Sequence, residues 1–284
     1  LRLIRVHATI AAVKCSILIF GERHGVLVGQ FKLFRWLLFP FALLITADAT
    51  GLAPLQLYIE ITPAGGVLEL PPGRYGGPAV ISRPITIEGG GQVEIDGGGD
   101  GSVITVKADD VVVRGLRIVN SGVSYNGVDA GILVEADRAL IEDNVLENVL
   151  FGIHLKQANE NVIRGNKVSS HGRDISLRGD GLRMWYSNDN LIENNHFTGV
   201  RDILLSNSTG NRLIGNIIER SRIGMEFMFS PANEVAGNQI RNNDTGIAVI
   251  YSNEVNIHDN RIAHMRKLTG SGISFKESAR VKVS

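Results

Sequence analysis

The chain has 284 residues, with 33 Gly, 8 Pro, a single Cys and 29 basic against 29 acidic side chains. A formal net charge of zero argues against a nucleic-acid binder, which needs a surplus of Lys and Arg on at least one face. The lone Cys15 excludes a disulfide framework, and 44% hydrophobic but only 6% aromatic residues call for a core of Val, Ile and Leu.

Residues 1–49 differ from everything that follows. Lys32 and Arg35 precede the apolar run Trp36 to Ile45, and Ala47-Asp48-Ala49 follows it. A basic segment, about ten apolar residues and an A-x-A site describe a secretory signal peptide cleaved after Ala49. The run is too short for a membrane span, which needs about twenty apolar residues. A signal peptide does not begin with some thirty extra residues, and the first Met is Met184, so the true start is expected near residues 26–28. Cleavage removes six basic residues (Arg2, Arg5, Lys14, Arg23, Lys32, Arg35) and two acidic ones (Glu22, Asp48). That turns 29 against 29 into 23 against 27, a mildly acidic exported chain without a thiol.

The remainder, 50–284, is a repeat. Asn recurs at 144, 166, 195, 216, 238 and 260, in steps of 22, 29, 21, 22 and 22 residues. A second phase agrees, in which Gly131, Gly152, Gly181, Asp202, Gly224, Gly246 and Gly272 each open a short apolar strand. Each unit holds two or three alternating strands between Gly, Asn and Ser turns, and no segment shows a sustained helical period. One unit cannot bury its apolar side chains, whereas stacked units form a continuous core. The expectation is an all-β fold, a right-handed parallel β-helix of about 22-residue coils. The recurring Asn should form a ladder in which each amide bonds its neighbours one coil above and below. The columns Ile141, Ile163, Ile192, Leu213, Val235, Ile257 and Leu146, Val168, Phe197, Ile218, Ile240, Ile262 should line the interior. About eight coils fit, a rod of roughly 40 Å. The repeat stops in mid-coil at Arg280–Ser284, so the native chain is expected to continue.

Three steps are longer than the rest: Asn120 to Ala130, Ser169 to Asp180, and Ala263 to Ser271. Insertions in a solenoid become loops on one face, and these three should share one edge. The rim they form carries Tyr125, Asp129, His171, Arg173, Asp174, Arg178, Asp180, His264, Met265, Arg266 and Lys267. Beside it, outward positions of the opening strands hold His154, Lys156, Arg183, Trp185, Glu226, Met228 and Ile250. Among them Trp185, Met228 and Ile250 form an apolar stripe suited to a partner, with Arg173, Asp174 and Asp180 of the rim as further contacts.

A carbohydrate-active enzyme needs paired carboxylates, or a base beside a cation. Asp174 and Asp180 with Arg173 and Arg178 imitate the second arrangement only. For metals, thioether and imidazole suit copper, particularly Cu(I). The candidate ligands are the adjacent His264 and Met265, with Met228, His154 and His171, whereas Met184 and Met225 alternate inward and belong to the core.

The segments Pro63 to Tyr75 (PAGGVLELPPGRY), Phe151 to Leu155 (FGIHL), Gly179 to Ser187 (GDGLRMWYS), Gly224 to Ser230 (GMEFMFS) and Ile250 to Ser252 occur in a telling order. In that order, and with the placed insertion before Gly181, the chain resembles the NosD family over about residues 55–284. The resemblance implies a periplasmic, non-enzymatic protein required for maturation of nitrous oxide reductase. Its partners would be the reductase apoprotein, an ABC-type ATPase and membrane permease, and a copper chaperone, with copper as the implied cofactor. Members tend to carry Met in both Met-Tyr-Ser-like segments. Here Met228 matches the first, Ile250 replaces Met in the second, and Glu226 stands where a ring is common. Those departures weaken direct copper ligation along the stripe and leave it usable as a docking surface.

Overall fold

A computed structural model describes residues 51–172 and 174–284, so the expected leader, Cys15 and Arg173 lie outside the described residues. Among the described residues are 27 short strands, one α-helix at Leu55–Ile61 and a 3₁₀ turn at Ile175–Leu177. Every strand pairing is parallel, and the strands form an 18-stranded and a nine-stranded sheet. The fold is the right-handed parallel β-helix expected from the spacing. A typical coil runs Leu191–Glu193, His196–Thr198 and Asp202–Ser206, the last strand lying in the nine-stranded sheet. Nine rungs therefore stack there, against the eight coils expected. The strands Ala79–Ile81 and Ile104–Val106 belong to the early, less regular coils.

Both interior columns hold. Ile141, Ile163, Ile192, Leu213, Val235 and Ile257 lie in register on successive rungs and are at most 2% exposed. The second column is buried from Leu146 to Ile240, and Ile262 is half-buried. Met184 and Met225 are fully buried, as their alternation demands.

The Asn ladder runs from Asn144 to Asn260. Each backbone N–H and side-chain Nδ2 donates to Oδ1 of the next Asn at 2.8–3.1 Å. The same amides also donate to main-chain carbonyls such as Ile163 O and Ile192 O, so a buried polar column satisfies itself. A parallel ladder joins Asn161, Asn190, Asn211 and Asn233. A third, of hydroxyls, joins Ser187, Ser208, Ser230, Ser252 and Ser278 at 2.9–3.1 Å.

The opening glycines answer to close approach between rungs. A Cβ on Gly152 would lie 2.2 Å from the carbonyl oxygen of Gly181, and one on Gly246 at 2.2 Å from that of Gly272. Asp202 interrupts the glycine column, and there the next strand shifts register between Asp202 and Leu204.

The helix Leu55–Ile61 was not foreseen, because seven residues are too few to display a period. Its buried Leu55 and Ile59, four apart, pack on the first rung. Gln56 Oε1 accepts from Val80 N–H at 2.8 Å, so the helix covers the edge strand of the nine-stranded sheet. No helix among the described residues is long and apolar enough to cross a membrane.

Candidate functional site

The outward face of the nine-stranded sheet gathers most of the chemistry. Its register places His154, Arg183, Leu204, Glu226 and Ala248 in one column. Lys156, Trp185, Ser206, Met228, Ile250 and Lys276 form the next. Strand alternation puts both columns outside, while Leu182, Met184, Ile203, Leu205 and Phe227 point into the core.

Carboxylates and guanidinium groups interlock at the start of these strands. Asp180 Oδ2 accepts from Arg183 Nη1 at 3.2 Å. Asp202 accepts from Ile223 N–H at 2.9 Å and from Arg222, whose Nη2 also reaches Glu226 Oε2 at 3.1 Å. All three acids are buried, Asp180 to 2% exposure. Loss of solvent, together with the neighbouring Asp202, pushes the Asp180 carboxyl up to about 7. Burial likewise raises Asp202 and Glu226. Asp180 was expected on the rim as a partner contact. The structure corrects this: Asp180 cannot meet a partner and instead anchors Arg183 from beneath. Glu226 and His154 do point outward, but neighbouring side chains cover them.

At the ends of the same strands lies an exposed aromatic band. Trp185 is 39% exposed, and Met228 and Ile250 are half-buried. The stripe is interrupted once, by Ser206. The following residues, Tyr186, Phe229 and Tyr251, all adopt left-handed backbone with φ of 49–50° and expose their rings. Phe229 and Tyr251 stack at 5.0 Å, Trp185 meets Tyr186 edge-on at 5.2 Å, and Lys276 Nζ lies 5.6 Å from the Tyr251 ring. Sequence reading singled out Trp185, Met228 and Ile250 and missed the rings beside them. The repeated aromatic-Ser pairs (Tyr186-Ser187, Phe229-Ser230, Tyr251-Ser252) carried that signal, because the buried Ser ladder fixes the corner that turns each ring outward.

The second and third inserted loops meet along one edge, as expected. Arg178 Nη1 donates to Arg220 O at 3.0 Å, and Arg266 Nη2 donates to Ser221 O at 3.3 Å. Arg266 and Lys267 both pair with Asp244 at 3.3 Å. Asp174 is exposed and accepts from Ser176 N–H, starting the 3₁₀ turn. The first loop bends back to the sheet, where Tyr125 stands edge-on to Phe151 at 6.0 Å.

The candidate metal ligands are scattered. His154 lines a cavity of about 300 Å³ with Lys156, Arg183 and Trp185. His171 lines a second, with Asp96, Asn120 and Asn148, and His264 lines a third, with Arg241 and Arg261. Met265 follows His264 in the third loop. Met228 is three rungs from His154, roughly 14 Å at the usual strand spacing. Arg183 and Lys156 flank His154, and burial with these two cations lowers its pKa to about 4. The same two cations also oppose a metal cation beside the ring. Among the described residues no group of three or more His, Cys, Asp or Glu could hold a metal ion. Apart from the sequence neighbours His264 and Met265, these side chains do not converge on one point.

The comparisons agree with this architecture. The family model described as "Periplasmic copper-binding protein (NosD)" matches residues 168–284, and "Right handed beta helix region" matches residues 102–220. "Probable ABC transporter binding protein NosD" of Pseudomonas aeruginosa is 33% identical over 166 residues, covering 56% of this chain and 37% of that protein. Its namesake in Stutzerimonas stutzeri is 28% identical over 165 residues, covering 56% and 38%. The chain thus spans less than two fifths of the relatives it matches. Among solved structures, a tailspike protein 2 from an Escherichia coli O157:H7 bacteriophage superposes with a TM-score of 0.59 at 13% identity. It covers 77% of this chain and 35% of that one, a likeness of fold alone. On the family model over residues 168–284 and the two curated relatives, the chain is similar to the NosD family, and its fold is a right-handed β-helix.

Proposed function

We propose that this protein is a periplasmic accessory factor in copper-centre maturation of nitrous oxide reductase, acting without catalysis of its own beside an ABC-type ATPase and permease. The aromatic band carries the reading. Trp185 and Tyr186 on one coil, with Met228, Phe229, Ile250 and Tyr251 beyond the Ser206 rung, present an apolar and ring-rich surface inside the segment the NosD model matches. Exposed rings backed by a rigid sheet suit protein docking, because they bring large contact area with little side-chain entropy to lose. The names of the relatives support an ABC-transporter association, and the family description supports a periplasmic setting and copper as cargo. Copper here passes to the reductase apoprotein and is supplied by a chaperone, so a β-helix without converging ligands is compatible with the role. The test is copper content of the reductase in a strain whose own copy is replaced by a Trp185→Ala, Phe229→Ala, Tyr251→Ala triple variant. Copper loading falls while the β-helix stays folded by circular dichroism. Full loading with all three rings removed rejects the docking face.

One observation favours a second reading, a carbohydrate-active enzyme: Asp180 is held near neutrality beside Asp202 and Arg183, as a general acid would be. Yet Asp180 is 2% exposed and reaches no substrate without movement of the Ser169–Asp180 loop. Turnover of acidic polysaccharides that Asp180→Asn abolishes would decide for it.

A further inference from the structure

The cavity beside His154 has a chemistry that neither copper handling nor protein docking uses. Its floor is the His154 ring, which is 5% exposed and has no hydrogen-bond partner within the protein at either Nδ1 or Nε2. An imidazole carries one donor and one acceptor, and leaving both unpaired in a buried position is costly. Arg183 stands on one side of the ring, held by Asp180 at 3.2 Å, with its guanidinium 5.7 Å from the Phe151 ring centre. Lys156 stands at the mouth, its ammonium 2.7 Å from Glu135, with nearly half its side chain exposed. Trp185 forms one wall, and Asn126, Gly127 and Val128 of the first inserted loop bring no charge to the other. At about 300 Å³ the space lies at the small end of ordinary ligand pockets.

Two cations converge here over a ring that does not take up a proton at neutral pH, because burial and those same cations oppose it. A cationic ligand is therefore disfavoured and an anionic one favoured. A carboxylate would find charge-assisted donors in Arg183 and Lys156. The indole sets the remaining requirement, a flat or apolar body next to the charge.

We propose that this pocket binds a small organic carboxylate, its carboxylate bridging Arg183 and Lys156 above the His154 ring and its apolar body lying on the Trp185 indole.

Calorimetric titration of the intact chain at pH 7 with benzoate, neutral benzamide and sulfate tests it. Benzoate saturates one site with a Kd of about 1 mM or tighter, and benzamide and sulfate each bind about tenfold more weakly or not at all. Lys156→Met weakens benzoate about tenfold, whereas Lys276→Met, on the same column but outside the pocket, leaves it unchanged. In the same titration the His154 ring nitrogens shift by NMR. Absence of saturable benzoate binding, or equal affinity for benzamide, overturns the proposal. Equal affinity for sulfate removes the role of Trp185 and overturns it as stated. Undiminished binding by a folded Lys156→Met protein overturns the assigned location.

Discussion

The rings of Phe229 and Tyr251 lie 5.0 Å apart and within 4° of parallel, and both residues hold left-handed backbone at a φ of 50°. Bulky side chains rarely adopt that conformation, which costs about 1–2 kcal/mol per residue. Asn207, on the rung before Phe229, occupies the same corner with a φ of 51° and shows what the backbone alone prefers. Two rings held there against local preference, and exposed, gain little burial at this corner, which suits the docking face proposed above. Phe229→Asn accordingly relieves backbone strain and loses stacking of similar size, about 0.5–1.5 kcal/mol. Its unfolding free energy, measured in urea, stays within about 1 kcal/mol of the parent, while on the function proposed above its pull-down with the permease falls. A large loss of stability would show that the rings serve the fold.

Asn195 sits mid-ladder, 1% exposed, accepting at Oδ1 from Asn166 and donating to Asn216 and Ile163 O. Asn195→Ala leaves the Asn166 backbone N–H and one Asn166 Nδ2 proton without their acceptor and Ile163 O without its side-chain donor, while the backbone N–H at 195 still reaches Asn216 Oδ1. With about 1–3 kcal/mol for each uncompensated buried group, the expected loss is about 2–5 kcal/mol in equilibrium unfolding. Gln at the same position recovers little of it, because the longer amide cannot meet both neighbours at rung spacing. A loss below about 1 kcal/mol would show that the ladder is not a stabilising element.

Stability should respond to pH through two buried groups of opposite sign. Burial, Arg183 and Lys156 put His154 at about 4 in the fold against 6.5 ordinarily, so between these values the unfolded chain binds the extra proton. Its share of stability is present above pH 6.5 and lost as pH falls towards 4. Asp180, raised by burial and Asp202 to about 7 from 3.8, holds its proton in the folded chain, so its share is present below 3.8 and lost as pH rises to 7. His154→Gln removes the acid-side loss, and Asp180→Asn removes the loss on approaching neutrality. Urea midpoints measured at intervals from pH 4 to 8 separate the two. Identical pH profiles for the parent and both variants would contradict these assignments.

Arg178 and Arg266 tie two inserted loops to the neighbouring carbonyls of Arg220 and Ser221. Each is a local clamp outside the hydrophobic core. Arg178→Ala should speed amide exchange in residues 171–179, and Arg266→Ala in 264–270, while exchange across the Asn ladder stays unchanged. Deleting Ser169–Asp180 is a harsher change, because it removes Asp180 from beneath Arg183 and Gly179 from its place against Leu150. If the rim takes part in docking, the Arg178 variant already reduces copper loading of the reductase.

The repeat was legible because a β-helix writes its geometry locally. An inward side chain every coil must be apolar or self-pairing, so the columns Ile141 to Ile257 and Asn144 to Asn260 appear as a period in the chain. The helix Leu55–Ile61 and the first strand of the nine-stranded sheet, Ala79–Ile81, were not legible, being too short to show a period. For the functional face, sequence alone placed Trp185, Met228 and Ile250 on a common outward stripe, because alternation and spacing decide which side of a strand a residue takes. It did not reveal that Asp180 is buried, that His154 lies unpartnered under Arg183, or that His154, His171 and His264 line separate cavities. Those facts depend on what covers each side chain from adjacent rungs and inserted loops. Burial, pairing and convergence are properties of neighbours distant in the chain, and only the stacked coils decide them.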